Sequence, residues 1–136
     1  MSYRISPVLK AKIAERAGFR CEYCRFPESE SAYRFHSEHI VAIQHGGATE
    51  ESNLALACSN CNWKKGPNLS TILVKNGPLV RLFHPRKDSW ADHFETENGA
   101  IYPKTDIGEA TVKLLEFNSP DAIIERAALE KLGLFP

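Results

Sequence analysis

Cys21-Glu22-Tyr23-Cys24 and Cys58-Ser59-Asn60-Cys61-Asn62-Trp63-Lys64-Lys65-Gly66 bracket a segment that carries Glu38-His39-Ile40, then Gly46-Gly47, then Asn53-Leu54. Each C-x-x-C pair holds two thiolates within reach of one ion, and two such pairs can close a tetrahedral four-cysteine zinc site. An ion that pins both ends of a segment also fixes what lies between them. Here that is an acid beside a histidine, with asparagines following. A redox C-x-x-C belongs beside a βαβ pattern, which this sequence lacks. The N-terminus has no signal-peptide h-region. Paired cysteines without a secretion signal favour a metal over disulfides, and with it a cytoplasmic location.

Working outward, residues 34–43 read as a strand, residues 44–52 as a long turn around Gly46-Gly47, and residues 54–57 as a short second strand. Residues 59–65 then read as a short helix stopped by Gly66-Pro67. Before the first pair, Ser6-Pro7 is an N-cap followed by a first-turn proline, and Val8, Leu9, Ile13 and Ala17 give a helical stripe ended by Gly18. Beyond the second pair, residues 79–83 read as a strand and residues 85–99 as a loop with Trp90 and Phe94 packed down. Thr105 or Asp106 caps a helix through about Phe117, and Ser119-Pro120 starts a last helix ending at Gly133. The fold class is therefore α+β: a strand–loop–strand–helix unit on a metal, with flanking helices and a helical tail. The chain reads as a single domain over residues 1–136, with its core at about 18–67 and an extension over 68–136.

The motif set, in this order and spacing, resembles the HNH endonuclease family over about residues 18–67, and the tail Leu82-Phe83-His84-Pro85-Arg86 is similar to a bacterial subgroup of it. The resemblance implies a ββα-metal fold and metal-dependent hydrolysis of DNA phosphodiester bonds. It assigns His39 as general base, Glu38 and Asn62 as ligands of one catalytic divalent ion, and Asn53 as the residue that holds the loop and orients the base. Cys21, Cys24, Cys58 and Cys61 take a structural zinc. One charged and one neutral oxygen ligand suit a hard ion that keeps several waters, Mg²⁺ or Mn²⁺. Neighbours on a regular strand point to opposite faces, so Glu38 and His39 cannot both face one phosphate from an ideal strand. Period two instead pairs His36 with Glu38, making His36 a candidate extra ligand. His45 reads as a loop histidine, and His84 as a tail histidine within reach of the site. Trp63 reads as core or as cover for the cysteine site. The rival reading is a non-catalytic zinc module that binds nucleic acid or a protein partner.

Composition sets the bounds. Hydrophobic residues make up 43% of 136 residues, enough for one modest core, and no apolar run is long enough to span a membrane. Net charge is zero, but it is distributed in blocks: residues 1–25 carry +4, 26–57 carry −4, 58–87 carry +6 and 88–136 carry −6. Both basic blocks contain a cysteine pair, so the metal brings them together, and a local basic face binds phosphates even in a neutral chain. The stretch Lys64, Lys65, Lys75, Arg81, Arg86 and Lys87 is the expected nucleic-acid face, with Lys64, Lys65 and Arg86 as its contacts. Lys65 follows Asn62 by three residues and so shares its side of the helix. The competing picture pairs these cations with the acidic C-terminal segment.

Overall fold

In the computed structural model, which describes residues 4–136, α1 (Pro7–Arg16) leads into the first cysteine pair. Ser6 caps it by accepting from the Leu9 N–H, and Pro7 occupies the first turn. Of the expected stripe, Ile13 is fully buried, Leu9 and Ala17 pack partly against it, and Val8 faces solvent. Full burial of one such isoleucine contributes about 1.5–3 kcal/mol.

The segment between the cysteine pairs forms an antiparallel hairpin. β1 (His36–His39) pairs with β2 (Leu54–Ala57), with His36 opposite Ala57 and His39 opposite Leu54. β1 is shorter than the strand expected over residues 34–43, because the side chain of Asn53 takes the place of a backbone partner beyond Ile40. The Ile40 N–H still donates to the Asn53 carbonyl at 2.8 Å, but the Val41 N–H donates to Asn53 Oδ1 at 2.9 Å. β2 is buried on both faces. Leu54 and Leu56 pack with Ile5 and Ile13 on the α1 side, while Ala55 and Ala57 join Tyr23 and the cysteines on the other. α2 (Ser59–Lys65) follows directly, closing the ββα unit.

The extension forms two small hairpins and three helices. β3 (Ser70–Ile72) pairs with β4 (Leu79–Arg81), a shorter strand than the one expected over residues 79–83. Residues 85–99 are not the expected loop: they contain α3 (Trp90–His93) and β5 (Phe94–Glu97), which pairs with β6 (Ala100–Pro103). The signal was present in Asn98-Gly99. Both residues have positive φ, 50° and 84°, as a two-residue hairpin turn needs, and Asn-Gly is the preferred pair for it. α4 (Asp106–Leu114) is capped by the Thr105 hydroxyl accepting from the Gly108 N–H, and α5 (Pro120–Lys131) completes the chain.

A continuous buried cluster joins the cysteines and Tyr23 to Phe83, Phe94, Phe117 and Phe135 of the extension. Its aromatic rings meet edge-on or tilted, with Phe83 and Phe94 centroids 5.5 Å apart and Trp90 and Phe94 4.9 Å apart. Trp90 also donates its indole N–H to the Tyr23 carbonyl at 2.7 Å. The extension thus packs directly on the loop that presents the first two cysteines. Trp63 is not part of this core: it is 83% exposed on the outer face of α2. Among the described residues, no helix is long and apolar enough to cross a membrane.

Candidate active site

The four cysteine sulfurs converge. All are unpaired as disulfides, and their Sγ atoms lie within 4.8 Å of one another. A tetrahedral zinc with Zn–S bonds of about 2.3 Å separates its sulfurs by about 3.8 Å. Cys24 Sγ and Cys58 Sγ are 3.8 Å apart, so the cluster has the size that ion requires. Local backbone geometry sets each pair: the Cys24 N–H points at Cys21 Sγ and the Cys61 N–H at Cys58 Sγ, at 3.5 and 3.4 Å. Within the cluster the thiols act on one another: hydrogen bonds from Cys21, Cys24 and Cys61 push the Cys58 thiol down, while those on Cys24 and Cys61 push theirs up. Arg126 of α5, 2% exposed, lies within electrostatic reach of Cys24, Cys61 and Cys58 while donating to the Gly99 and Phe117 carbonyls. Four thiolates on one dication would leave two negative charges, which this buried guanidinium would oppose. Sequence reading did not single out Arg126, because its partner is remote along the chain.

His39 ends β1 half-exposed, on the α1 face with Leu54. Burial pushes its imidazole below the ordinary value, so it is neutral near pH 7. Its Nε2 lies 2.9 Å from the Thr49 hydroxyl. The loop between them is closed by Asn53, whose carboxamide accepts from Val41 N–H and donates to the Val41 and Ala48 carbonyls at 2.9 and 2.8 Å. Gly47 lets the loop fold this tightly: a Cβ there would stand 1.8 Å from the Val41 oxygen and 2.8 Å from Asn53 Nδ2. Asn53 therefore sits where a loop-holding residue must sit, and Thr49 is an additional partner of His39 that no motif signalled.

Glu38 points the other way. It is 7% exposed, beneath β1 on the cysteine side. The Tyr23 hydroxyl donates to Oε1, and the Lys65 ammonium stands 3.7 Å from Oε2. Burial raises the carboxyl to about 7, against the pull of Lys65 and Tyr23. Burial also lowers Lys65, so for both members desolvation outweighs the pairing. With both oxygens engaged inside the protein, Glu38 does not fit the place of a metal ligand in this arrangement. Lys65 likewise departs from expectation. It is 1% exposed and donates to the Ile40 carbonyl at 2.8 Å, so it cannot lie along a phosphate backbone. Glu38 and Lys65 instead brace His39 from both sides, one through the residue before it and one through the carbonyl after it. Tyr23, enclosed within the first C-x-x-C loop, ties this brace to the cysteine cluster.

The remaining expected residues are dispersed. Asn62 is half-exposed on α2, and its carboxamide has no protein hydrogen-bond partner among the described residues. His36 is exposed at the start of β1, 3.2 Å from the Ser59 hydroxyl. His45 is exposed on the loop. His84 accepts from the Arg86 N–H and shares a small cavity with Ile40 and Lys65. Lys64 is paired with Glu116, Arg81 with Asp88, and Arg86 with Glu22, which also accepts from the Leu56 N–H. The expected basic face over residues 64–87 is thus largely neutralised, leaving Lys75 and Lys87 exposed there without salt bridges among the described residues.

Residues 21–68 match the family model described as HNH endonuclease. No curated protein and no solved structure matches the chain. The cysteine cluster, the hairpin and α2 all lie inside the segment that matches the HNH endonuclease model, and the rest of the chain forms an extension packed on its cysteine side.

Proposed function

We propose that this domain hydrolyses DNA phosphodiester bonds with His39 as the general base that takes a proton from the attacking water. The observation that supports the reading is the placement of His39: half-exposed, with Nε2 2.9 Å from the Thr49 hydroxyl, on a loop that Asn53 closes, where burial lowers the imidazole and so favours its neutral form. A general base must be unprotonated and positioned, and a base of this kind contributes roughly 10²–10⁴-fold. In the tautomer that donates Nε2–H to the Thr49 oxygen, Nδ1 has the lone pair that takes the water's proton. Zinc on Cys21, Cys24, Cys58 and Cys61 has closed coordination and a structural role in this proposal. A divalent ion, Mg²⁺ or Mn²⁺, would supply charge stabilisation at the phosphoryl and leaving oxygens. The open carboxamide of Asn62 fits a ligand of such an ion, and the enclosed carboxylate of Glu38 does not.

A second reading, a zinc module that binds nucleic acid or a protein partner without cutting, is favoured by that enclosure of Glu38. Cleavage of supercoiled, linear and single-stranded DNA, with RNA alongside, in Mg²⁺, Mn²⁺ and chelator lanes, separates the two. Metal-dependent cutting that His39→Ala abolishes supports the nuclease. Zinc-loaded wild type that cuts in no lane, or His39→Ala that cuts at the wild-type rate, refutes it.

A further inference from the structure

We propose that the groove between α1 and β1 is the track for the DNA phosphodiester backbone, with Lys10 and Arg34 as its principal phosphate contacts. This rests on the nuclease reading for its substrate. The groove has a volume of about 740 Å³. One wall is a single face of α1, carrying Lys10, and the other is the stretch Arg34 to Ser37 leading into and along β1; Arg4 also lines it. Lys10 and Arg34 are exposed and enter no salt bridge among the described residues. The acidic residue in the groove, Glu28, is occupied in accepting the Phe35 N–H at 2.7 Å. The N-terminal end of α1 opens into the groove at Pro7, and its dipole adds positive potential there.

The groove also leads to the proposed base. Ser37 and Leu56, which line it, are cross-strand partners, so they mark its face of the hairpin. His39 lies on that same face, two residues or about 7 Å further along the strand. That distance covers about two phosphates at the ~3.4 Å axial spacing of one DNA strand. At the far end of α1, Arg16 donates to the carbonyl of Leu54, the residue opposite His39, so helix and strand run side by side from the groove to the imidazole. The sequence block with the highest positive charge lies elsewhere, over residues 58–87, but its cations are mostly spent on Glu116, Asp88, Glu22 and Glu38. Contacts of the Lys10 and Arg34 kind grip phosphates, so they position the strand without choosing a sequence.

The test is binding of a duplex and a single-stranded oligonucleotide by fluorescence anisotropy against salt, in the His39→Ala background so that no cutting intervenes. Lys10→Ala with Arg34→Ala should make the log–log salt slope shallower by about two and weaken binding about thirtyfold near 0.15 M salt. The charge-retaining pair Lys10→Arg with Arg34→Lys should restore both. Zinc content and melting temperature report the fold; if the alanine pair does not fold, Lys10→Gln and Arg34→Gln taken singly should each change the slope by about one. An unchanged slope overturns the proposal, as does a loss that appears instead in Lys75→Ala with Lys87→Ala, or a parent protein that does not bind DNA. Wild type that binds with the expected slope yet never cuts leaves the groove standing and removes the nuclease. Wild type that cuts, with the groove pair unaltered in slope and in cutting, removes the groove alone.

Discussion

Replacing Lys65 by Met should destabilise the domain by an amount that grows with pH. The ammonium is 1% exposed, bonded to the Ile40 carbonyl at 2.8 Å and standing 3.7 Å from Glu38. In the wild type the buried carboxyl titrates at about 7 rather than at its ordinary 4.5. Between those values the native state holds a proton that the unfolded chain releases, so the contribution of Glu38 to stability falls as pH rises, by roughly 3 kcal/mol in all. Removing Lys65 removes the attraction that holds this carboxyl down, so the variant titrates higher still and the decline extends above pH 7. At pH 5.5 the carboxyl is neutral in both proteins, and the cost is about that of an unpaired Ile40 carbonyl, roughly 1–3 kcal/mol. At pH 8.5 the carboxyl must either keep a proton that the unfolded chain has released or ionise without its cation, and the cost rises to about 3–5 kcal/mol. Urea unfolding of zinc-loaded protein at pH 5.5, 7 and 8.5 measures the difference, since the pH dependence of zinc binding is common to both proteins. Glu38→Gln combined with Lys65→Met should recover most of the loss at pH 8.5, which would measure the coupling directly. A destabilisation that is flat in pH, or a double variant no better than Lys65→Met, would refute the brace.

Three further outcomes are expected. Cys58→Ser should lose tightly bound zinc and the cooperative unfolding transition together, as metal analysis and thermal melts would show; retained stoichiometric zinc counts against four-cysteine ligation. Wild-type cleavage should rise with pH through a value below the ordinary histidine 6.5 and then level off, because burial lowers His39 and its neutral form is the base; a rate that first rises above pH 8 points to another group. Asn53→Ala removes three hydrogen bonds to the loop and should lower kcat with zinc content unchanged, at a stability cost of about 1–3 kcal/mol; unchanged kcat would show that the loop needs no clamp.

Local pattern alone determined a good part of this protein. The two C-x-x-C pairs announce four convergent thiolates because that spacing suits a tight turn around one ion, and the same reasoning marked Ser6-Pro7 and Thr105 as helix starts. The boundaries of β2 and α2 were legible because apolar residues stop and helix-ending Gly66-Pro67 begins within a few positions. The β5–β6 hairpin was equally written in Asn98-Gly99, yet the aromatic residues before it read as a packed loop. What only the tertiary structure decided is where charge goes. A lysine three residues from Asn62 on a short helix reads as a surface cation, but α2 lies against β1, and the inward face of that contact draws Lys65 to Glu38 and Ile40. The block of basic residues after the second cysteine pair reads as a nucleic-acid face, until the acidic partners of the fold meet it at Glu22, Asp88 and Glu116. Glu38 and His39 are adjacent in the chain and face opposite sides of the sheet, because a strand turns alternate residues to alternate faces. Sequence spacing fixes which groups are neighbours along the backbone; whether a charge faces water, a partner or a substrate depends on which elements pack over it.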